Sequence, residues 1–400
     1  MAGPIPSSDL AGMFDGRVDV AAPLSDEQLR EIPTKRGVFL LTAEDDRPIL
    51  LTTAASIRSR LRGRLDEKDP EHSSRSADLR TITRAVHWKL AGGRFETDWR
   101  YLELARAIWP GSYTRLLSWK PPWFVHVDSA EEYPHLKRTR DVFAARGRYV
   151  GPFETARSAE KFIEIVQDAF DLCRDIQCLR RSPNAPRCSY GQMGRCLSPC
   201  DGTIGMDEYR RQVALAADFA AGLRTERVEQ LRDLMQSAAR ELKFEQASSL
   251  KARLGRMAEL EAPAYRHVST GDEFRFLMFQ PSGSRRRVKV FLADRGAVQQ
   301  AEPLEYPLDA KKVQRRIDRM GRFLAGAGSR SPDEAYRWRM GLVARALFVG
   351  LSQGGLLIRW RQDLSAEEVG QAIAASAGEL GLSTKLRARK SKSNAPENDR

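Results

Sequence analysis

The chain has 400 residues, of which 42% are hydrophobic and 30% are charged, a balance typical of soluble globular proteins. This composition excludes a disordered chain, and no run of about 18 apolar residues exists, so neither a transmembrane helix nor a membrane partner is expected. Lys and Arg outnumber Asp and Glu by 66 to 53, giving a net charge of +13. The surplus favours an anionic partner, most simply nucleic acid, although a merely basic soluble protein is the alternative.

The first part of the chain is predicted to form a leader and then a small α/β domain. Residues 1–24 show weak periodicity and lack the basic start and apolar core of a secretion signal, so we expect a cytoplasmic protein. The α/β domain is predicted over 25–120. Its predicted elements, in chain order, are a helix at 25–33, a hairpin of strands at 37–41 and 48–51, a basic helix from 56, a strand at 86–90 and a helix at 95–109.

A cysteine-rich loop follows within the segment 121–206, after a helix predicted over 156–173. All five cysteines of the chain lie in one short window, which favours a metal site in a reducing compartment over a disulfide scaffold. Four of them have the spacing C-x9-C-x7-C-x3-C, namely Cys178, Cys188, Cys196 and Cys200. Four thiolates suit zinc or an iron–sulfur cluster, and the single close pair favours the cluster; four free cysteines are the alternative. Cys173 is predicted to be an ordinary core residue.

Residues 207–262 are predicted to be almost entirely helical. Two apolar stripes at helical spacing predict an antiparallel hairpin over 228–261, connected at Lys243-Phe244-Glu245. Two helices of this length leave their shared core incomplete. The hairpin therefore needs a partner, which is either the rest of its own chain or another protein.

The last third is predicted to be an α+β domain over 263–384. Its period of two predicts a three-stranded meander over 274–308. The elements predicted after it are helices at 310–324 and 333–350, a short strand at 356–360 and a helix at 365–380. The tail 385–400 is basic and then polar, and is predicted to be disordered. The whole chain is thus expected to be an α/β multidomain protein.

In combination, residues 25–310 resemble the UvrC family, whose members belong to the UvrABC excinuclease of bacterial nucleotide-excision repair. The cysteine loop QCLRRSPNAPRCSYGQMGRCLSPCDG and the hairpin sequence LKFEQASSLKARL carry the resemblance. It implies a [4Fe–4S] cluster on the four cysteines, with zinc as the alternative, and DNA and a UvrB-like helicase as partners. The hairpin is similar to the family's UVR motif, and the residues implied for docking are Leu242, Phe244, Ala247, Leu250 and Arg253.

The segments LREIPTKRGVFLL and ILLTTAASIRSRLRGRL resemble the motifs of a GIY-YIG nuclease, but in degenerate form. Phe39 and Leu50 replace the two tyrosines, and Thr53 stands at the lysine position. The resemblance assigns Arg60 to catalysis and Glu103 to a Mg²⁺ or Mn²⁺ ion, since the reaction needs a cation for the phosphate and a carboxylate for the metal. The alternative makes both ordinary surface residues. The arginines implied for DNA binding are Arg58, Arg60, Arg62 and Arg64.

The meander resembles the opening strands of the family's RNase H-like second nuclease domain. Its later strands and the helix-hairpin-helix motifs are not recognisable, so a C-terminally truncated relative is expected. Two functions remain open, namely a repair endonuclease subunit and a non-catalytic adaptor that binds DNA and a UvrB-like protein. A regulator of an unrelated complex is a third, weaker alternative.

Overall fold

The structure is a computed structural model of the chain. It describes residue 10 and residues 12–20, 25–66, 79–222, 225–326, 333–350 and 354–383. Much of the predicted leader and all of the predicted tail 385–400 lie outside these residues. The described part contains three four-stranded sheets, and none of its helices is long and apolar enough to cross a membrane.

The first sheet is antiparallel, with the strand order β1-β4-β2-β3. It confirms the predicted hairpin, strand and flanking helices. Its elements are β1 (Gly16–Asp19), α1 (Asp26–Glu31), β2 (Gly37–Thr42), β3 (Pro48–Ala54), α2 (Ile57–Asp66), α3 (Leu79–Ile82), β4 (Ala85–Leu90) and α4 (Arg94–Ile108). Strand β1 corrects the leader prediction, because Gly16–Asp19 pair with β4 at the sheet edge. Only one of these four residues, Val18, is apolar, so the segment shows no strand period.

Both faces of the first sheet are covered, so all six residues of β2 are buried. Side chains of a strand point alternately to its two faces. Val38 and Leu40 belong to the core that contains α4, whereas Phe39 and Leu41 pack with α1 and α2. Helices α2 and α4 therefore lie on opposite faces of the sheet.

The middle of the chain builds a second sheet, with the order β6-β5-β7-β8. Its elements are β5 (Trp123–Val127), β6 (Lys137–Thr139), β7 (Arg148–Phe153), α5 (Ala156–Phe170), α6 (Ile176–Leu179), α7 (Ser189–Gln192), α8 (Met206–Ala220) and β8 (Ser269–Thr270). Helix α5 begins with a capping box at Thr155 and ends where Asp171 turns left-handed, before the predicted end at 173. Because β8 follows the helical hairpin, the middle domain reaches past its predicted boundary at residue 206.

The predicted hairpin is confirmed as α9 (Thr225–Arg240) and α10 (Phe244–Ala258). Leu231, Ala238, Leu250 and Met257 face inward and join the core built on α5 and α8. One side of the hairpin is thus completed by its own chain, which is one of the two alternatives expected from the sequence.

The C-terminal sheet confirms the predicted meander and adds a fourth strand, in the antiparallel order β11-β10-β9-β12. Its elements are β9 (Arg275–Pro281), β10 (Arg287–Asp294), β11 (Ala297–Glu305), α11 (Ala310–Gly326), α12 (Tyr336–Val349), β12 (Leu356–Arg359) and α13 (Ala366–Ala375). Helices α11 and α13 cover one face. The other face packs on α12 and on α4 of the first domain, so domains predicted to be separate share one core.

Glu96 of α4 is the polar centre of this shared core. Its side chain has no exposed surface, and its two carboxylate oxygens each accept a hydrogen bond of 2.8 Å from Lys289 of β10. Arg100 donates to the same carboxylate at 3.1 Å, and the backbone N–H of Gly92 donates at 2.7 Å. A buried charge is tolerated only when it is paired in this way.

We expect Lys289→Met to destabilise the protein by about 3–5 kcal/mol, because it leaves a buried carboxylate short of a partner. The double change Glu96→Leu with Lys289→Met is expected to restore most of that loss. Arg287→Met is the control, because its ion pair with Glu305 is exposed and contributes about 0.5 kcal/mol or less. Urea unfolding of the three variants measures the differences, and equal losses for Lys289→Met and Arg287→Met would refute the prediction.

Candidate functional site

The cysteine loop is held by its own backbone, and two of its four cysteines, Cys178 and Cys200, pack together. Cys178 and Cys200 form a small buried cluster with Ala185, whose N–H donates to the Cys200 carbonyl at 2.9 Å. Cys196 is also buried, in the larger core beside α5, and Cys188 is half-buried. The loop thus brings the four predicted ligands into one region.

The thiols influence one another. Burial, and then the negative charge of Cys188, Cys196 and Cys178 among others, raises the pKa of Cys200. Interaction with the Cys173 thiol lowers the pKa of Cys196 to about 7, and the same interaction raises the pKa of Cys173, whose Sγ–H donates to the Asp175 carbonyl at 3.3 Å. Cys173, predicted to be plain core, is therefore a fifth member of the group. Its place just before the loop is the sequence signal that points to this contact.

Two contacts match the surroundings that thiolates need. The backbone N–H of Ser198 lies 3.4 Å from Cys196 Sγ, and a guanidinium nitrogen of Arg181 lies 3.7 Å from Cys178 Sγ. The donor set therefore fits a thiolate-bound metal in its chemistry. Among the described residues, however, no three Cys, His, Asp or Glu side chains are grouped closely enough to hold an ion.

Asp168 of α5 links the cysteine loop to the hairpin. This buried carboxylate pairs with Arg174, with Arg195 of the loop at 3.2 Å and with Arg256 of α10 at 2.8 Å. Arg195 of the loop is thus engaged with a carboxylate. Loop and hairpin are held in a fixed relation by this one side chain.

The hairpin tip is exposed and apolar. Leu242 and Phe244 are 71% and 67% exposed, and they flank the turn between α9 and α10. Of the other residues implied for docking, Ala247 is half-buried, Leu250 is core, and Arg253 forms a two-pronged ion pair with Asp171 at 2.6 and 3.0 Å. The structure therefore divides the five residues into a free tip and a face already used within the chain.

The nuclease-like positions are not assembled into one site. Phe39 is fully buried, Leu50 packs in the same cluster, and Thr53 lies opposite Val38 in the β2–β3 ladder. Arg60 is exposed on α2 and Glu103 is on α4, so the two are borne by helices on opposite faces of the sheet.

Glu103, which is predicted to be a metal ligand, is engaged in the structure by cations of its own chain. Its carboxylate accepts a 2.6 Å hydrogen bond from Arg339 of α12 and lies 3.6 Å from Arg106. Arg339 is buried and pairs in addition with Asp333 at 2.7 Å. No sequence signal marks this contact, because its partners are more than 200 positions apart.

Of the four α2 arginines implied for DNA binding, Arg58 has a structural role. It donates to the carbonyls of Ile32 at 2.7 Å and of Arg30 at 2.6 Å, which are groups at the C-terminal end of α1. Such carbonyls lack partners within the helix. The other three arginines are exposed, and Arg62 lies 4.0 Å from Asp26.

Comparison with known proteins identifies the middle of the chain. Residues 122–219 match the family model of the UvrC/Cho excinuclease middle domain, and residues 225–260 match that of the UvrB/uvrC motif. The first match covers strands β5, β6 and β7 of the second sheet, α5, the cysteine loop and all but the last residue of α8. The second covers the helical hairpin. No solved structure matches the chain.

Curated relatives extend the match beyond these two regions. UvrABC system protein C of Moorella thermoacetica is 25% identical over 275 residues, covering 68% of this chain and 44% of the relative. The Caulobacter vibrioides protein of that name is 27% identical over 277 residues, with 68% and 42% covered. The chain thus aligns with about two fifths of the length of these relatives. Both comparisons therefore relate the chain to the UvrC family.

Proposed function

We propose that this protein acts in nucleotide-excision repair, where it binds DNA and a UvrB-like helicase. The hairpin is the observation that carries the proposal. It matches the UvrB/uvrC motif, it is anchored on the matching middle domain, and its tip leaves two large apolar side chains in water. Exposed apolar groups of this size, on a rigid support, are typical of protein-binding sites.

We further propose that Cys178, Cys188, Cys196 and Cys200 hold a [4Fe–4S] cluster, with zinc as the alternative. A bound metal centre would cross-link a loop that has little apolar material of its own. The chain would favour such a centre in two ways. It buries three of the four thiols, and it supplies N–H donors to sulfur, such as the backbone N–H of Ser198. The role in this proposal is structural, and it fixes the loop beside the hairpin.

The first domain is proposed to be a GIY-YIG-like domain that no longer cuts DNA. Phenylalanine and leucine cannot act as a base, and Glu103 is neutralised by Arg339. The C-terminal sheet is proposed to be an RNase H-like remnant, on the likeness of its meander. An adaptor that brings DNA and helicase together is therefore favoured over an incising subunit.

An incision assay tests this choice. Purified protein, a purified UvrB-like helicase and a defined damaged duplex are mixed with Mg²⁺ or Mn²⁺, and complex formation and strand cutting are measured separately. We expect a complex and no cutting. Metal-dependent incision that Glu103→Gln abolishes, while the thermal unfolding of that variant stays near wild type, would contradict the non-catalytic assignment. If the protein formed no complex with the helicase and none with DNA, the repair role itself would be contradicted.

A further inference from the structure

Helix α11 has a strongly basic outer face. Its sequence between residues 310 and 326 contains one acid, Asp318, and six cations, Lys311, Lys312, Arg315, Arg316, Arg319 and Arg322. The apolar side of the helix is buried in the C-terminal core through Val313, Ile317, Met320 and Leu324. Five of the six cations are exposed and Arg316 is half-buried. We call the exposed side the α11 face.

Much of this charge is not used within the chain. Arg316 pairs with Glu302 at 2.5 Å, and Arg319 lies 3.8 Å from the same carboxylate. In the part of the chain that the structure describes, none of the other four cations of the α11 face has a carboxylate within 4.0 Å. Elsewhere arginines are commonly paired, as at Asp168. The α11 face therefore keeps a net positive field available for an external anion.

A groove runs beside these cations. It has a volume of about 340 Å³ and is walled on one side by the chain from Pro303 to Asp309 and on the other by Lys312, Arg315, Arg316 and Arg319. The first wall also carries two acids, Glu305 and Asp309, so its two negative charges offset only part of the charge of the four cations. Four cations thus share one concave wall.

A second basic element borders the groove. Arg285 and Arg286 of the turn and Arg287 at the start of β10 are exposed, and Arg287 lies 3.5 Å from the carboxylate of Glu305. The N–H of Tyr306 donates to the Arg286 carbonyl at 2.8 Å, which fixes this turn beside the segment that leads into α11. The basic surface is therefore continuous over two elements that are separate in the sequence.

We propose that the α11 face and its groove bind the phosphate backbone of duplex DNA. Lys312 and Arg322 are ten residues apart, so the row of cations extends over about 15 Å, enough to meet several phosphates of one strand. Cations without base-reading geometry position a duplex and give no sequence preference. An anionic membrane fits less well, because the apolar side of α11 is consumed by the core and offers nothing to insert. This inference deepens the proposed function and depends on it.

The experiment compares DNA binding by the full chain and by the variant Lys312→Gln/Arg315→Gln/Arg322→Gln. Fluorescence anisotropy with a short undamaged duplex is measured over a salt series. Losing three phosphate contacts is expected to reduce the slope of log affinity against log salt by about 2.7 and to weaken binding roughly tenfold or more at low salt. Unchanged thermal unfolding is expected, since the three side chains are exposed.

Two matched controls distinguish the effect of where the cations lie from the effect of their charge. Lys312→Arg/Arg315→Lys/Arg322→Lys keeps the charge and should keep binding. Arg115→Gln/Lys120→Gln/Arg146→Gln removes the same charge from exposed positions elsewhere and should change the slope little.

If wild type binds DNA and the α11 variant binds equally well with an equal slope, the inference is overturned while the repair role stands. If wild type binds no DNA, the repair proposal fails with it. Tighter binding of an RNA duplex or of anionic vesicles through the same residues would overturn the DNA assignment.

Discussion

Phe244→Asp is expected to abolish binding to a UvrB-like helicase without unfolding the protein. Phe244 is the first residue of α10. Its side chain is 67% exposed and lies at the hairpin tip with Leu242. Buried aromatic anchors of an interface commonly cost about 2–4 kcal/mol when removed, and a new carboxylate in their place adds desolvation. We therefore expect the dissociation constant to rise roughly 30- to 1,000-fold. Calorimetric titration of purified helicase measures it.

Leu250→Asp is the matched control on the same helix. Leu250 lies on the inward side of α10, in the core shared with α5, so a charge there should destabilise the domain by about 3 kcal/mol or more. Circular dichroism and thermal unfolding separate the two cases. If Phe244→Asp lowered the unfolding temperature as much as Leu250→Asp, Phe244 would be core and the docking assignment would fail. The docking assignment would also fail if a folded Phe244→Asp variant bound the helicase as tightly as wild type.

The periodic elements are predictable because their signals are local. The strand hairpin at Phe39 consists of two short apolar runs around a polar turn, and the helical hairpin has apolar stripes broken at Lys243. Strand β1 escapes prediction, since Val18 is the single apolar residue among its four. Its position is determined by pairing with β4, some 70 residues later.

The contacts that decide the candidate sites are non-local, and local pattern does not reveal them. The context of Glu103 in α4 indicates a metal ligand, yet its partner Arg339 stands 236 positions away. The basic run at Arg58 indicates DNA binding, but the carbonyls that Arg58 binds belong to the end of another helix. Cysteine clustering predicts only that the four thiols share one loop, because they are close in sequence. It does not show that Cys173 joins them.

Replacing Cys196 or Cys200 with Ser is expected to remove essentially all iron from anaerobically purified protein. The wild type should be brown, with the broad visible absorbance of an iron–sulfur centre, because four thiols in one loop, three of them buried, suit such a cluster. Loss of the centre should also loosen the loop and the Asp168 contacts between the loop and α10. Iron and sulfide analysis and visible spectra measure the first effect, and limited proteolysis of the loop measures the second.

Cys173→Ser distinguishes the four proposed ligands from a merely cysteine-rich core. Cys173 is buried and contacts Cys196, but it lies outside the four-cysteine spacing. This variant should therefore keep its iron and colour, even if the potential or stability of the centre shifts through Cys196. Iron loss in Cys173→Ser equal to that in Cys200→Ser would place Cys173 in the ligand set and contradict the assignment. A colourless wild type carrying one zinc per chain would replace the cluster with a structural zinc site on the same thiols. With either metal, we expect the metal content of the four-cysteine loop to determine how rigidly the loop holds the hairpin through Asp168.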